Sequence, residues 1–181
     1  MTTPPVRADT PRARVVRYEI IYRNTRMGRI VCVANQKGGV GKTTTASNVA
    51  AGLAKSGRRT LLVDLDPQCN ATTGLGGSPA ETHPLVSETA LSETIMSTAV
   101  TNLSLLPGSR SVRDVERLAE QARNGSMVLS NHLSCGLNAW DYCLIDCPPS
   151  LGELTRTALA GSTEVLMPIQ CEYFALEGLT Q

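Results

Sequence analysis

Nine consecutive residues, Gln-Lys-Gly-Gly-Val-Gly-Lys-Thr-Thr at positions 36–44, constrain this chain more than any other feature. An apolar run, Ile30-Val31-Cys32-Val33-Ala34, precedes them, and an Ala-rich stretch from Thr43 to Ser56, closed by Gly57, follows. The first reads as a buried strand and the second as a helix. Glycines between a strand and a helix remove side chains, so that backbone N–H groups can turn inward around an anion. The helix adds the positive end of its dipole. Lys42 is then a point charge for β- and γ-phosphates, and the Thr43 hydroxyl is placed to ligate Mg²⁺. Lys37, Gly38, Gly39, Val40, Gly41, Lys42, Thr43 and Thr44 are therefore the candidate nucleotide-binding residues, with ATP and Mg²⁺ as the expected ligands. The first glycine of the common G-x-x-x-x-G-K-[ST] pattern would fall at Gln36; a second lysine, Lys37, stands one residue on. The competing reading is a plain glycine-rich turn.

Strand and helix patterns alternate along the rest of the chain. Thr60 to Leu65, Leu103 to Leu106, Tyr142 to Ile145 and Val165 to Ile169 read as strands. Ser87 to about Ser97, Val112 to Arg123, Met127 to Leu137, Gly152 to Ala160 and a segment from Ala175 read as helices, and Asp66 to about Glu81 as a polar loop. Such alternation predicts right-handed crossovers and an α/β fold with a doubly wound, mostly parallel sheet. Aromatic residues make up only 3% of the chain. The core is then built from Leu, Val, Ile and Ala, which suits buried parallel strands under Ala-rich helices.

Ligands of such sheets bind at the carboxyl ends of strands, and two aspartates fall there. Asp66 lies just past the second strand, in Asp64-Leu65-Asp66-Pro67-Gln68. It is a candidate to orient an attacking water, against the simpler reading of an Asp that initiates a turn before Pro67. Asp64, on the same strand face, reads as a supporting group or a helix-capping acceptor. Asp146 ends the strand at 142–145, as a Mg²⁺-organising carboxylate does. The candidate catalytic set is Lys37, Lys42, Asp66 and Asp146, and the candidate metal set Thr43, Asp66 and Asp146. Pro148-Pro149 stiffens the loop beyond, a natural switch element.

Charge divides the chain unevenly. Residues 1–26 carry six arginines against Asp9 and Glu19, a net of +4, and the remainder is −3. This predicts a basic, disordered arm over 1–26, or a start of translation at Met27, and one domain over 27–181. The body is not a basic nucleic-acid module in its own right. Six cysteines show no C-x-x-C spacing and histidine occurs only at 83 and 132, poor material for zinc. All six are expected to be reduced, in a cytosolic protein. No run of 18 apolar residues is present, and no membrane association is expected.

Taken in order, Lys37-Gly38-Gly39-Val40-Gly41-Lys42-Thr43-Thr44 resembles the deviant Walker A motif of the ParA/MinD superfamily of P-loop NTPases. Leu62 to Gln68 resembles its second motif, Leu144 to Gly152 its Walker B segment, and Gln170 to Leu179 a segment of the ParA/Soj partitioning branch. The resemblance covers residues 28–181. It implies a doubly wound P-loop ATPase domain that forms an ATP-dependent homodimer. Lys37 would reach the partner's nucleotide, Lys42 contact phosphates, Thr43 bind Mg²⁺, Asp66 position the water, and Asp146 hold Mg²⁺ through water. The dimer would coat DNA without sequence preference, placing it on the nucleoid, and a ParB-type partner would stimulate hydrolysis in chromosome or plasmid segregation. Family members run roughly a third longer, so the domain is expected to lack its C-terminal strands, with an apolar sheet edge left open and a tendency to aggregate.

Rival readings stay open. A MinD-like site-positioning ATPase would need a C-terminal amphipathic helix. An iron–sulfur ATPase would need well-placed thiolates, and a non-catalytic remnant would be free to lose the loop residues that are intact here. Arg110, Arg113, Arg117 and Arg123, interspersed with acids, read as a salt-laced solvated helix ahead of a DNA-facing patch.

Overall fold

Three apolar runs long enough for a strand and too short for a stable helix form the centre of the sheet. They are β1 (Arg29–Val33), β2 (Thr60–Asp64) and β5 (Tyr142–Asp146). Every residue of β2 is buried, as a strand covered on both faces requires. The computed structural model describes residues 28–84, 91–113 and 139–170. Among them the remaining elements are α1 (Lys42–Lys55), α2 (Asn70–Gly74), α3 (Leu91–Thr94), β3 (Met96–Ser97), β4 (Leu103–Leu106), α4 (Glu153–Ala160) and β6 (Glu164–Leu166). The sheet order is β3-β4-β2-β5-β1-β6. All pairings are parallel except β3 with β4.

Two apolar layers cover the sheet. In α1, Ala46, Ala50 and Ala54 recur every four residues on one face and pack on Val33, Leu62, Leu105 and Leu144. Small side chains at that spacing let the helix lie close to the strands. On the opposite face Ile30, Cys32, Leu61, Val63, Cys143, Ile145 and Cys147 pack together with Ala158 of α4. Helices on both faces of a mostly parallel sheet make the fold the doubly wound α/β type of P-loop NTPases.

Gly28 fits a close approach at the start of β1, because a β-carbon there would lie 2.4 Å from the Trp140 carbonyl oxygen. Arg29 forms an ion pair with Glu164 and stacks over the Tyr142 ring, 5.5 Å from its centroid. These contacts tie β1, β5 and β6 at the end of the sheet away from the glycine loop.

The structure departs from the sequence reading in several places. The loop after β2 contains the short helix α2. β2 ends at Asp64 rather than Leu65, and β6 stops at Leu166. Pro168, lacking an N–H, cannot extend β6's pairing. The stretch read as a helix to Ser97 ends in the antiparallel edge strand β3, paired through Met96 opposite Leu105. The sheet therefore has six strands where five were read. The arm over 1–26, the helices over 127–137 and from 175, most of the helix over 112–123, and the segment from Cys171 lie outside the described residues.

Candidate functional site

The strand order brings three loops to one edge. β5 lies between β1 and β2, with Asp146 in register with Val33 on one side and Asp64 on the other. Leu65 N donates to the Asp146 carbonyl at 3.0 Å, and Cys147 N to that of Val33 at 3.2 Å. The exits of β1, β2 and β5 are thereby locked side by side, carrying the glycine loop, Asp66 and Asp146 in turn.

In the glycine loop, Gly39 and Gly41 have φ of 75° and 84°, a backbone region that residues with a β-carbon avoid. Among the described residues no atom stands within 4 Å of where a β-carbon on Gly38, Gly39 or Gly41 would lie, so the loop has open space at these three positions. Gly41 caps α1 without a side-chain hydrogen bond, and the first turn has no acidic residue. The positive end of the helix is thus left for an external anion. Lys42 is buried at 7% exposure and its ammonium donates to the Lys37 carbonyl at 3.2 Å. Lys37, Gly38, Gly39 and Thr44 are exposed, Val40 is buried, and Thr43 is half-buried. Outside the predicted set, Asn35 braces the loop by accepting from Lys37 N at 2.9 Å while donating to the Pro168 carbonyl at 2.8 Å. Gln170 donates to the Gly39 carbonyl at 3.1 Å.

Asp146 is fully buried, and among the described residues neither carboxylate oxygen has a hydrogen-bond partner. Burial, reinforced by Asp64 and Asp66, pushes its pKa up to about 7. The Thr43 hydroxyl and the Lys42 ammonium pull the other way, although neither closes a hydrogen bond on it. A carboxylate held this way is costly in isolation. It fits a divalent cation beside Thr43. Among the described residues no three His, Cys, Asp or Glu side chains form a cage for a metal.

Asp66 is 7% exposed. It does initiate a turn: Gln68 N donates to its Oδ1 at 2.9 Å and Cys69 N to its carbonyl at 2.8 Å. The same residue stands close enough to Asp146 to raise its pKa, so the turn and the site share it. Asp64 is a capping acceptor. Its Oδ2 receives Thr72 N at 2.8 Å and the Thr72 hydroxyl at 2.6 Å, at the start of α2. Burial pushes the Asp64 pKa up, and the hydrogen bonds from Thr72 and from Asp66 N oppose that. Thr72 escaped the sequence reading because one threonine in a polar stretch carries no local signal. Asn35 was hidden by its place at the strand end, where any polar residue fits.

The chain is similar to several known proteins. The profile of a family described as an AAA domain matches residues 28–181. The sporulation initiation inhibitor protein Soj of Bacillus subtilis is 45% identical over 160 residues, covering 86% of this chain and 63% of its own length. The chromosome partitioning protein ParA of Myxococcus xanthus is 46% identical over 162 residues, covering 86% and 56%. The chain thus spans less than two thirds of the length of these relatives. A crystal structure described as cobyrinic acid a,c-diamide synthase from Mycobacterium smegmatis, with bound ADP and magnesium, superposes with a TM-score of 0.80 at 38% identity, covering 86% of this chain and 65% of that one. With the profile spanning the glycine loop and both aspartate-bearing strand ends, the chain belongs to the ParA/Soj family of AAA-type domains.

Proposed function

We propose that the protein binds Mg·ATP at the 36–44 loop and hydrolyses it as a partitioning ATPase. The observation that carries this reading is Asp146, a buried carboxylate whose oxygens have no hydrogen-bond partner among the described residues, set beside Thr43 and Lys42 at the mouth of the glycine loop.

The residues divide the work as follows. The N–H groups at the start of α1 and the open side of Gly38, Gly39 and Gly41 receive phosphate oxygens. Lys42 exchanges its bond to the Lys37 carbonyl for a phosphate oxygen, so its charge is already desolvated and aimed. Thr43 and Asp146 would hold Mg²⁺, with Asp66 the third candidate, and the ion would supply positive charge against the charge that develops on the transferred phosphate. Asp66, fixed by its own turn, orients the attacking water. Lys37, exposed at the tip of the loop, reaches the nucleotide of a second copy, which makes dimerisation depend on the γ-phosphate.

The name of the Myxococcus xanthus relative, a chromosome partitioning protein at 46% identity, supports a role in chromosome partitioning. On our reading the ATP-loaded dimer binds chromosomal or plasmid DNA without sequence preference, in the cytoplasm. A ParB-type protein would then trigger hydrolysis. The magnesium and ADP of the Mycobacterium smegmatis structure support the ligand pair. The test is performed on the complete gene product. Mg·ATP uptake at millimolar nucleotide is expected, lost in Lys42→Ala and kept in Asp66→Ala, which no longer releases phosphate. DNA retention that needs ATP and disappears in Lys37→Ala is expected as well. A wild-type protein that takes up no Mg·ATP would sink the proposal.

A further inference from the structure

The candidate water-orienting residue, Asp66, has no long side chain to correct an error in its backbone, so its placement must come from what holds the turn. One hydrogen-bonded unit does so, and it draws on three separate elements. Asp64, fully buried at the end of β2, accepts from Asp66 N through Oδ1 at 3.2 Å. Its Oδ2 accepts from both Thr72 N and the Thr72 hydroxyl of α2. Gly108 N, in the loop that leaves β4, donates to the Thr72 hydroxyl oxygen at 2.8 Å. That donor fixes the direction of the chain, because the hydroxyl must then give its own proton to Asp64.

Gly108 completes the unit by its lack of a side chain. A β-carbon on it would lie 2.9 Å from Asp64 Cγ, 3.0 Å from Asp64 Oδ2 and 3.1 Å from Cys69 Sγ. Cys69 in turn closes the Asp66 turn from its far side, in a left-handed conformation with φ of 56°. A non-glycine residue held there is retained only when its surroundings over-determine it. Each member is thus satisfied by a partner on another element, and loss of one leaves a buried donor or acceptor unmatched.

The geometry points to Asp64, Thr72 and Gly108 as positioning residues for hydrolysis: they set the Asp66 turn relative to Asp146 and the glycine loop. Among the described residues no hydrogen bond joins Thr72 or Gly108 to the glycine loop, so these two act on turnover and leave nucleotide affinity alone. This rests on the Mg·ATP hydrolysis proposed above.

The experiment uses the complete gene product with Thr72→Val, Thr72→Ser and Gly108→Ala. Thr72→Val keeps shape and removes the hydroxyl. It is expected to lower kcat by about 10- to 100-fold, the effect of roughly an ångström of misplacement, with KM for Mg·ATP unchanged. Thr72→Ser restores kcat because the hydroxyl returns. Gly108→Ala, 36 residues away in sequence, lowers kcat in the same way by pushing on Asp64. Amide hydrogen exchange at Asp66 and Cys69 rises in Thr72→Val and Gly108→Ala without nucleotide, a readout independent of turnover. Wild-type kcat in Thr72→Val, a KM effect at constant kcat, or failure of serine to rescue would overturn the inference while leaving the ATPase reading intact. A wild-type protein without Mg·ATP hydrolysis would remove the ground of both.

Discussion

Asp146→Asn separates the cost of the site from its use. The Asp146 carboxyl has a pKa of about 7 in the folded chain against an ordinary value of 3.8. Between those values the native state holds a proton that the unfolded chain has released, so stability falls as pH rises through that window. Above pH 7 the full deficit is present, about 4 kcal/mol for a shift of this size. Asparagine carries no charge and should remove Asp146's share of the pH dependence, leaving that of Asp64, whose pKa burial also raises. Its buried amide still lacks partners, which costs about 1–3 kcal/mol, so the net gain at pH 8 is about 1–3 kcal/mol. Urea unfolding at pH 5 and pH 8, without nucleotide, measures both terms. Added Mg·ATP should then raise the stability of the wild type far more than that of the variant, reversing their order. Equal pH slopes for wild type and Asp146→Asn would refute the reasoning, because the carboxylate would then be neither isolated nor raised.

The other expectations concern backbone, core and loop bracing. Gly41→Ala places a β-carbon at φ of 84°, costs about 1–2 kcal/mol in thermal unfolding, and abolishes Mg·ATP uptake by occupying the open side of the loop. Leu62→Ala empties a fully buried position at the centre of the sheet and should cost about 2–5 kcal/mol in urea unfolding. Asn35→Ala removes both side-chain bonds of the brace between Lys37 and Pro168 and should weaken Mg·ATP binding, read by titration, with little change in the melting temperature.

Much of this was legible in the sequence because the relevant signals are local. The Val31–Ala34 run, the glycines at 38, 39 and 41, and the alanines at 46, 50 and 54 each declare their conformation within a few residues. Asp66 and Asp146 could be placed because a strand end in a parallel sheet is a position that sequence periodicity reveals. What periodicity cannot reveal is which strands are neighbours. That Asp146 stands in register between Val33 and Asp64 follows from sheet order, and the Thr72–Gly108 bond spans 36 residues. Met96-Ser97 was misread for a related reason: a two-residue edge strand has no period of its own and exists only because Leu105 and Ser104 offer it a ladder.

The same register weighs on the iron–sulfur alternative. Cluster ligation needs thiolates that face a common open space. Cys143 lies wholly inside the sheet, and burial pushes its thiol up to about 12. Contact with Cys32, 3.4 Å away between sulfurs, and burial push the Cys147 thiol up as well. These three sulfurs belong to the apolar layer beneath α4, whereas the carboxylates and Lys42 gather at the strand ends. Cys32, Cys143 and Cys147 therefore act as small core side chains, and the polar chemistry at the strand ends is left to oxygen ligands and the lysines of the glycine loop. Oxygen ligands at the strand ends select a hard cation and phosphate, and the thiols of Cys32, Cys143 and Cys147, packed in the layer beneath α4, are not placed to ligate a cluster beside them.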